Sequence, residues 1–166
     1  MRTLYLVNIS IHVLAAMFWL GGMFFLGLVG APVLRTIEPP SLRQKLFNDL
    51  GVRFRTAGWI AIAVLVMTGI GNLYFRGWLS WNEFLGASEF WGSRPGRMLA
   101  VKLVGVTVML AASAVHDFAL GPAASREVPG SPQALALRRR SALLARVNAL
   151  VGIGVVLAAV LLARGW

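Results

Sequence analysis

Four long apolar stretches run along the chain and are separated by polar segments. Residues 4–34 and 56–75 contain no Asp, Glu, Lys or Arg, and residues 98–120 and 143–163 contain few. About 20 apolar residues in a helix cross a hydrocarbon layer about 30 Å thick, whereas barrel strands are short segments of alternating polarity. The pattern therefore predicts an all-α, polytopic membrane protein in which residues 1–166 form a single domain, a four-transmembrane-helix bundle.

The segment between the second and third predicted helices is dense in tryptophan, with Trp78, Trp81 and Trp91. Tryptophan prefers the boundary between membrane and water. The segment therefore predicts a short interfacial helix in this loop. Further along, Ser131 followed by Pro132 is typical of a helix start.

The composition supports the membrane assignment. Of the residues, 58% are hydrophobic and 13% are charged, against about 25% charged in soluble domains. The lipid bilayer is therefore the expected surrounding. The net charge of +10 is explained by headgroup contacts beside the spans, so no nucleic-acid partner is expected. The chain has no cysteine, which excludes disulfides and thiolate metal ligands.

The basic residues fall unequally on the two sides of the predicted bundle. The loops after the first and third helices hold ten of them: Arg35, Arg43, Lys45, Arg53, Arg55, Arg126, Arg138, Arg139, Arg140 and Arg146. The opposite side holds five: Arg2, Arg76, Arg94, Arg97 and Arg164. Positive charge favours the cytoplasmic side, so both termini, including Trp166, and the tryptophan-rich loop are expected to face outward.

Polar side chains lie on the faces predicted to point into the bundle. Both the first and the third helix run inward from the outer surface, so depth divides these side chains into two clusters. The outer cluster is predicted to contain His12, Thr68, Asn72, Lys102 and Met98. The inner cluster is predicted to contain Ser113, His116, Asn148 and nearby arginines.

Each titratable candidate has two interpretations. A histidine side chain in lipid costs free energy, so such a residue usually has a function, and this favours a ligand role for His12. Lys102 either belongs to the same site or extends to the outer headgroups. His116 lies 14 residues after Lys102, about 21 Å along a helix, so one metal ion cannot bind both histidines. His116 and Asp117 are adjacent and would point in different directions, which favours a structural role.

Several of these segments resemble one family. The segment Ile11–Phe25, followed by Ala31–Arg35, is similar to the first helix of copper-resistance D (CopD) family membrane proteins. Arg53–Arg55 leading to Val66–Gly69, and Lys102 on the third helix, are similar to later helices of that family. The resemblance implies a bacterial inner-membrane protein that takes up or handles copper, and the charge bias then places both termini in the periplasm.

The chain also resembles the HemJ-type protoporphyrinogen oxidases, which associate b-type heme with a first-helix histidine and a third-helix lysine. His12 and Lys102 match those positions, and the likeness implies a b-type heme-binding membrane oxidoreductase. Expected cofactor contacts come from His12, Lys102, Trp19 and Asn72. Expected metal ligands are His12, Met98 and His116, since imidazole suits both copper and heme iron.

Three functions therefore remain open from the sequence: copper handling or uptake, b-type heme oxidoreduction, and a structural or assembly subunit without a cofactor. Whether the chain is an enzyme stays open with them. The small-residue helix faces also leave open a homo-oligomer or a partner membrane subunit.

Overall fold

The computed structural model describes residues 1–164, apart from the side chain of Glu83. The predicted outward position of Trp166 thus falls outside the described residues. Four helices are long and apolar enough to cross a membrane: α1 (Arg2–Arg35), α2 (Pro40–Phe75), α3 (Arg94–Arg126) and α4 (Pro132–Arg164). Residues 1–164 contain no strand, and the all-α membrane architecture expected from the sequence is confirmed.

The helices begin where the sequence offers caps. Ser93 Oγ accepts a hydrogen bond from the Gly96 N–H at 3.2 Å before α3, and Ser131 Oγ accepts one from the Ala134 N–H at 3.1 Å before α4. Each bond satisfies one of the free N–H groups of a helix start. Helix α2 has 36 residues, about 54 Å, so its first turns extend beyond a hydrocarbon layer of about 30 Å.

The loop between α2 and α3 is largely helical. A single π turn spans Trp81–Leu85, and a short helix spans Ser88–Gly92. The Phe90 ring contacts the rings of Trp78, Phe84 and Trp91 at centroid distances of 5.3 to 5.5 Å. The aromatic packing gives the loop a fixed shape, and its position at the membrane surface stays a prediction.

The bundle is built from two helix pairs. Helix α1 packs chiefly on α2, and α3 packs chiefly on α4, while contacts between the pairs are fewer. Close approach within a pair uses glycine: a Cβ on Gly105 would lie 2.5 Å from Val155 Cγ2. A small apolar core of Trp19, Ala61, Ile62 and Met109 joins the pairs near the middle. The weaker contact between pairs leaves a cleft toward the end that carries the α1–α2 and α3–α4 loops.

We call this the basic end, because ten of the sixteen lysines and arginines lie there. Two of the long helices contain a π turn near this end, Leu26–Gly30 in α1 and Val115–Leu120 in α3. Such turns widen the helix locally and change the direction of the side chains that follow.

Candidate functional sites in the bundle

A hydrogen-bonded cluster joins α1 to α2 in the half of the bundle opposite the basic end. His12 Nδ1 lies 2.7 Å from Thr68 Oγ1. The Asn8 amide donates to the Thr68 carbonyl at 2.9 Å and to Asn72 Oδ1 at 3.0 Å. Helix α2 allows this approach because Gly71 has no side chain: a Cβ there would lie 2.7 Å from Asn8 Oδ1. The cluster therefore contains three of the predicted outer residues and Asn8.

The hydroxyl of Thr68 determines how the His12 imidazole is protonated. Thr68 Oγ1 lies 2.6 Å from the Val64 carbonyl oxygen and must donate its proton there. It can then accept from His12, and we therefore assign the proton of the neutral imidazole to Nδ1. Nitrogen Nε2 then keeps its lone pair, which is the form of imidazole that can bind a metal ion.

Lys102 and Met98 lie near this cluster on α3. The Lys102 ammonium is close enough to interact electrostatically with His12 and with Arg76. Both Lys102 and Met98 are half-buried, and Met98 is one helical turn before Lys102. The packing of the helices thus places Lys102 in the same half of the bundle as His12, where the sequence analysis expects it.

Trp19 lies away from the outer cluster. It is buried in the apolar core, where its ring lies 3.6 Å from the point that a Cβ on Gly58 would occupy. Trp19 follows His12 by two turns, about 10.5 Å along α1. Its ring therefore packs on α2 at Gly58, below the level at which His12 meets Thr68.

A second cluster surrounds Asp117 at the π turn of α3. Asp117 Oδ2 accepts from the Trp59 indole N–H at 2.9 Å, and Oδ1 accepts from His116 Nδ1 at 2.9 Å. Arg55 donates to the Asp117 carbonyl at 3.0 Å and lies over the Phe118 ring. The expectation that His116 and Asp117 would diverge is wrong, because the π turn places the two adjacent side chains in contact.

The Asp117 carboxylate leaves His116 in the same protonation form as His12. The carboxylate only accepts, so the neutral imidazole donates from Nδ1 and keeps a lone pair on Nε2. Metal-binding histidines usually have this arrangement, with a carboxylate on the other ring nitrogen.

The two histidine clusters meet α2 at positions nine residues apart: Thr68 contacts His12, and Trp59 contacts Asp117, the hydrogen-bond partner of His116. Nine residues span about 13.5 Å, which is too far for two ligands of one metal ion. Within residues 1–164, no three His, Asp or Glu side chains are grouped to hold a metal ion together.

Two methionine sulfurs lie between the histidines, against consecutive turns of α4. Met23 Sδ is 3.8 Å from the Asn148 amide nitrogen, which also donates to Ser113 Oγ at 3.1 Å. Met109 Sδ is 3.8 Å from the point that a Cβ on Gly152 would occupy. Asn148 and Gly152 are neighbours on one face of α4, so both thioethers line the centre of the bundle.

A cavity of about 1170 Å³ occupies the cleft at the basic end. Its wall includes His116, Asp117, Ser113 and Asn148, together with Met23. The predicted inner cluster therefore borders one open space. Trp59 and Arg55, which position Asp117, were not among the sequence candidates, because a tryptophan and an arginine near a helix end resemble ordinary membrane anchors.

Comparison with known proteins gives one family. Residues 50–162 match the family described as Copper resistance protein D. A protein of Aquifex aeolicus (strain VF5), described as uncharacterized, is 42% identical over 65 residues, which are 39% of this chain and 44% of that protein. The chain thus spans less than half the length of this relative. No solved structure matches, and none of these findings supports the HemJ-type alternative.

Proposed function

Because the chain belongs to the copper resistance protein D (CopD) family, we propose that it handles copper ions as cargo within the membrane. The proposed path runs through the bundle interior from His12, past Met23 and Met109, to His116. The observation that carries it is the hydrogen bonding of both imidazoles. Each Nδ1 lies within hydrogen-bond distance of an acceptor, Thr68 Oγ1 or Asp117 Oδ1, and a neutral ring that donates there presents an unprotonated Nε2.

The thioethers supply soft donors between the two nitrogens. Cu(I) favours thioether and imidazole ligands, and Met23 and Met109 both face the interior. By contrast, Met17 and Met67 are 65% and 73% exposed on the outer surface of the bundle. Only some of the methionines therefore face the interior. Met17 and Met67 face lipid and serve as matched controls for Met23 and Met109.

The charge near His12 favours the monovalent ion. Lys102 lies in the same half of the bundle as His12, and in its protonated form it repels a divalent cation twice as strongly as a monovalent one. We therefore propose Cu(I) as the form that moves along this path. The four donors are spread along the bundle instead of forming one closed site, which suits transfer better than permanent storage.

X-ray absorption spectroscopy of the purified, Cu(I)-loaded protein tests the ligand assignment. We expect copper–sulfur scattering in the wild type and its loss in a variant carrying Met23→Leu and Met109→Leu. The matched control carries Met17→Leu and Met67→Leu and should keep the sulfur signal. Leucine has nearly the same volume as methionine, so packing changes little.

Copper flux into proteoliposomes tests transport separately from binding. The interior double variant should slow Cu(I) flux, and the lipid-facing double variant should not. Equal behaviour of the two variants would contradict the path. If the wild type binds no copper under any loading condition, the structural or assembly-subunit alternative replaces the copper proposal.

The charge distribution also supports an orientation and a location. We propose a bacterial inner membrane with the basic end in the cytoplasm and the N-terminus in the periplasm. The chain has no cysteine, so single-cysteine variants report sidedness directly. In spheroplasts, an impermeant maleimide should label Ser88→Cys and should leave Val128→Cys unlabelled. Labelling of Val128→Cys from outside would reverse the orientation.

A further inference from the structure

The cavity at the basic end has a strong excess of positive charge. Six arginines line it: Arg35, Arg43, Arg55, Arg138, Arg139 and Arg146. Asp117 is the one carboxylate in its wall, and both oxygens of that carboxylate already accept hydrogen bonds from Trp59 and His116. In the described part of the chain, one cavity arginine forms an ion pair with a carboxylate, Arg43 with Glu38 at 3.3 Å. The cavity therefore offers unneutralised charge to an anion.

The side of the cavity that opens toward the surrounding lipid is apolar. Leu28, Leu143 and Leu150 line it and are 74%, 62% and 68% exposed. Leu143 and Leu150 are seven residues apart, two turns along the same face of α4. An apolar, lipid-facing stripe thus leads from the arginines along α4 into its membrane-spanning part.

Two buried polar atoms in the wall have no hydrogen-bond partner within residues 1–164: Ser141 Oγ and Asn148 Oδ1. Ser141 is one turn from Arg138, and Asn148 is 4% exposed and faces Ser113 in the bundle interior. Buried polar groups in lipid require partners. Both oxygens are shielded by the surrounding side chains, so the Ser141 hydroxyl reaches an oxygen held by the arginines only after a change of its rotamer.

We propose that this cavity binds one anionic phospholipid as a discrete site between the helix pairs. The phosphate lies among the arginines, and an acyl chain follows the leucine stripe. Three features select this ligand class: the charge, the apolar stripe, and a volume of about 1170 Å³, above the roughly 300–1000 Å³ of sites for small molecules. The proposal does not rest on copper transport, although His116 and Met23 line the same cavity.

Native mass spectrometry of the delipidated full chain tests the site. During titration with dioleoyl phosphatidylglycerol we expect one tightly retained lipid, and weaker retention of dioleoyl phosphatidylcholine. Each arginine at a lipid surface contributes about 1 kcal/mol, which is about fivefold in affinity. The variant Arg139→Gln with Arg146→Gln should therefore retain phosphatidylglycerol about thirtyfold less tightly.

The chain offers a matched control for this variant. Arg140 and Arg126 are exposed arginines of the same end that do not line the cavity. A variant with Arg140→Gln and Arg126→Gln loses the same charge and should keep the affinity of the retained lipid. Equal losses in both double variants would mean general headgroup attraction and would overturn the discrete site.

Two further measurements separate the remaining outcomes. Ala142→Phe fills a half-buried position in the wall and should prevent lipid retention without removing charge, with helix content checked by circular dichroism. Glycerol phosphate, titrated alone, presents the headgroup without acyl chains and should bind far more weakly. If it binds as tightly as the lipid, the site takes a soluble anion and the phospholipid proposal is wrong; equal retention of phosphatidylcholine would also overturn it.

Discussion

Replacing Asp117 by asparagine tests whether a second residue controls the metal-binding form of His116. The carboxylate has two acceptor oxygens, and each takes one donor: Oδ1 from His116 Nδ1 and Oδ2 from the Trp59 indole, both at 2.9 Å. Asparagine keeps the shape but has a single acceptor oxygen. Two donors must then share one oxygen, or His116 must move its proton to Nε2.

Each outcome predicts a change of known size, in stability for the first and in metal affinity for the second. A buried donor without an acceptor costs about 1–3 kcal/mol. A proton on Nε2 blocks the metal-binding nitrogen, and loss of such a supporting carboxylate typically lowers metal affinity about 10–100-fold. We therefore expect Asp117→Asn to fold, to be slightly less stable, and to bind Cu(I) at His116 about 10–100-fold more weakly.

Nitrogen-15 NMR of histidine-labelled protein is the assay, because the chain has 2 histidines and their signals can be assigned by single substitution. In the wild type we expect both rings to be protonated at Nδ1. In Asp117→Asn the His116 signals should shift toward protonation at Nε2, while those of His12 should not change. Unchanged His116 signals together with unchanged copper affinity would refute the role assigned to the carboxylate.

Two other substitutions test the packing and the outer cluster. Gly105→Ala should destabilise the bundle by about 1–3 kcal/mol, since the new Cβ lies 2.5 Å from Val155 Cγ2, whereas Gly154→Ala has no neighbour within 4 Å and should be neutral; denaturation in mixed micelles measures both. Thr68→Val removes the acceptor of the His12 Nδ1–H, so it should cost about 1 kcal/mol and shift the His12 nitrogen signals. A His12 spectrum identical to the wild type would contradict that hydrogen bond.

The helix count follows from the sequence because hydrocarbon imposes a strong constraint. Backbone groups in lipid must bond within the segment, and a long apolar run has no stable alternative to a helix. The helix limits were harder to derive. Helix α2 begins at Pro40, well before the apolar run at residue 56, because a helix continues into water wherever its polar turns find contacts at the bundle end.

The outer cluster was accessible to sequence analysis for a similar reason. His12 on α1 and Thr68 with Asn72 on α2 are polar positions in otherwise apolar spans, so contacts between the two helices were to be expected from the cost of polar groups in lipid. The inner cluster needed the structure. Contact between His116 and Asp117 depends on the π turn Val115–Leu120, and one wide turn leaves no periodic signal in so short a segment.

The arrangement of the helices in two pairs explains why a candidate copper ligand, His116, lies beside the cavity at the basic end. Glycine allows close packing within each pair, as at Gly105, but the pairs meet through few buried side chains. Polar contacts between the pairs therefore supplement the small apolar core as the link, and Asp117 on α3 accepts a hydrogen bond from Trp59 on α2. An interface held by a few polar contacts can open without exposing a large apolar core. The same weakness leaves the cavity at the basic end, and this cavity is where the proposed lipid would bind and where a metal ion would reach the Nε2 atom of His116.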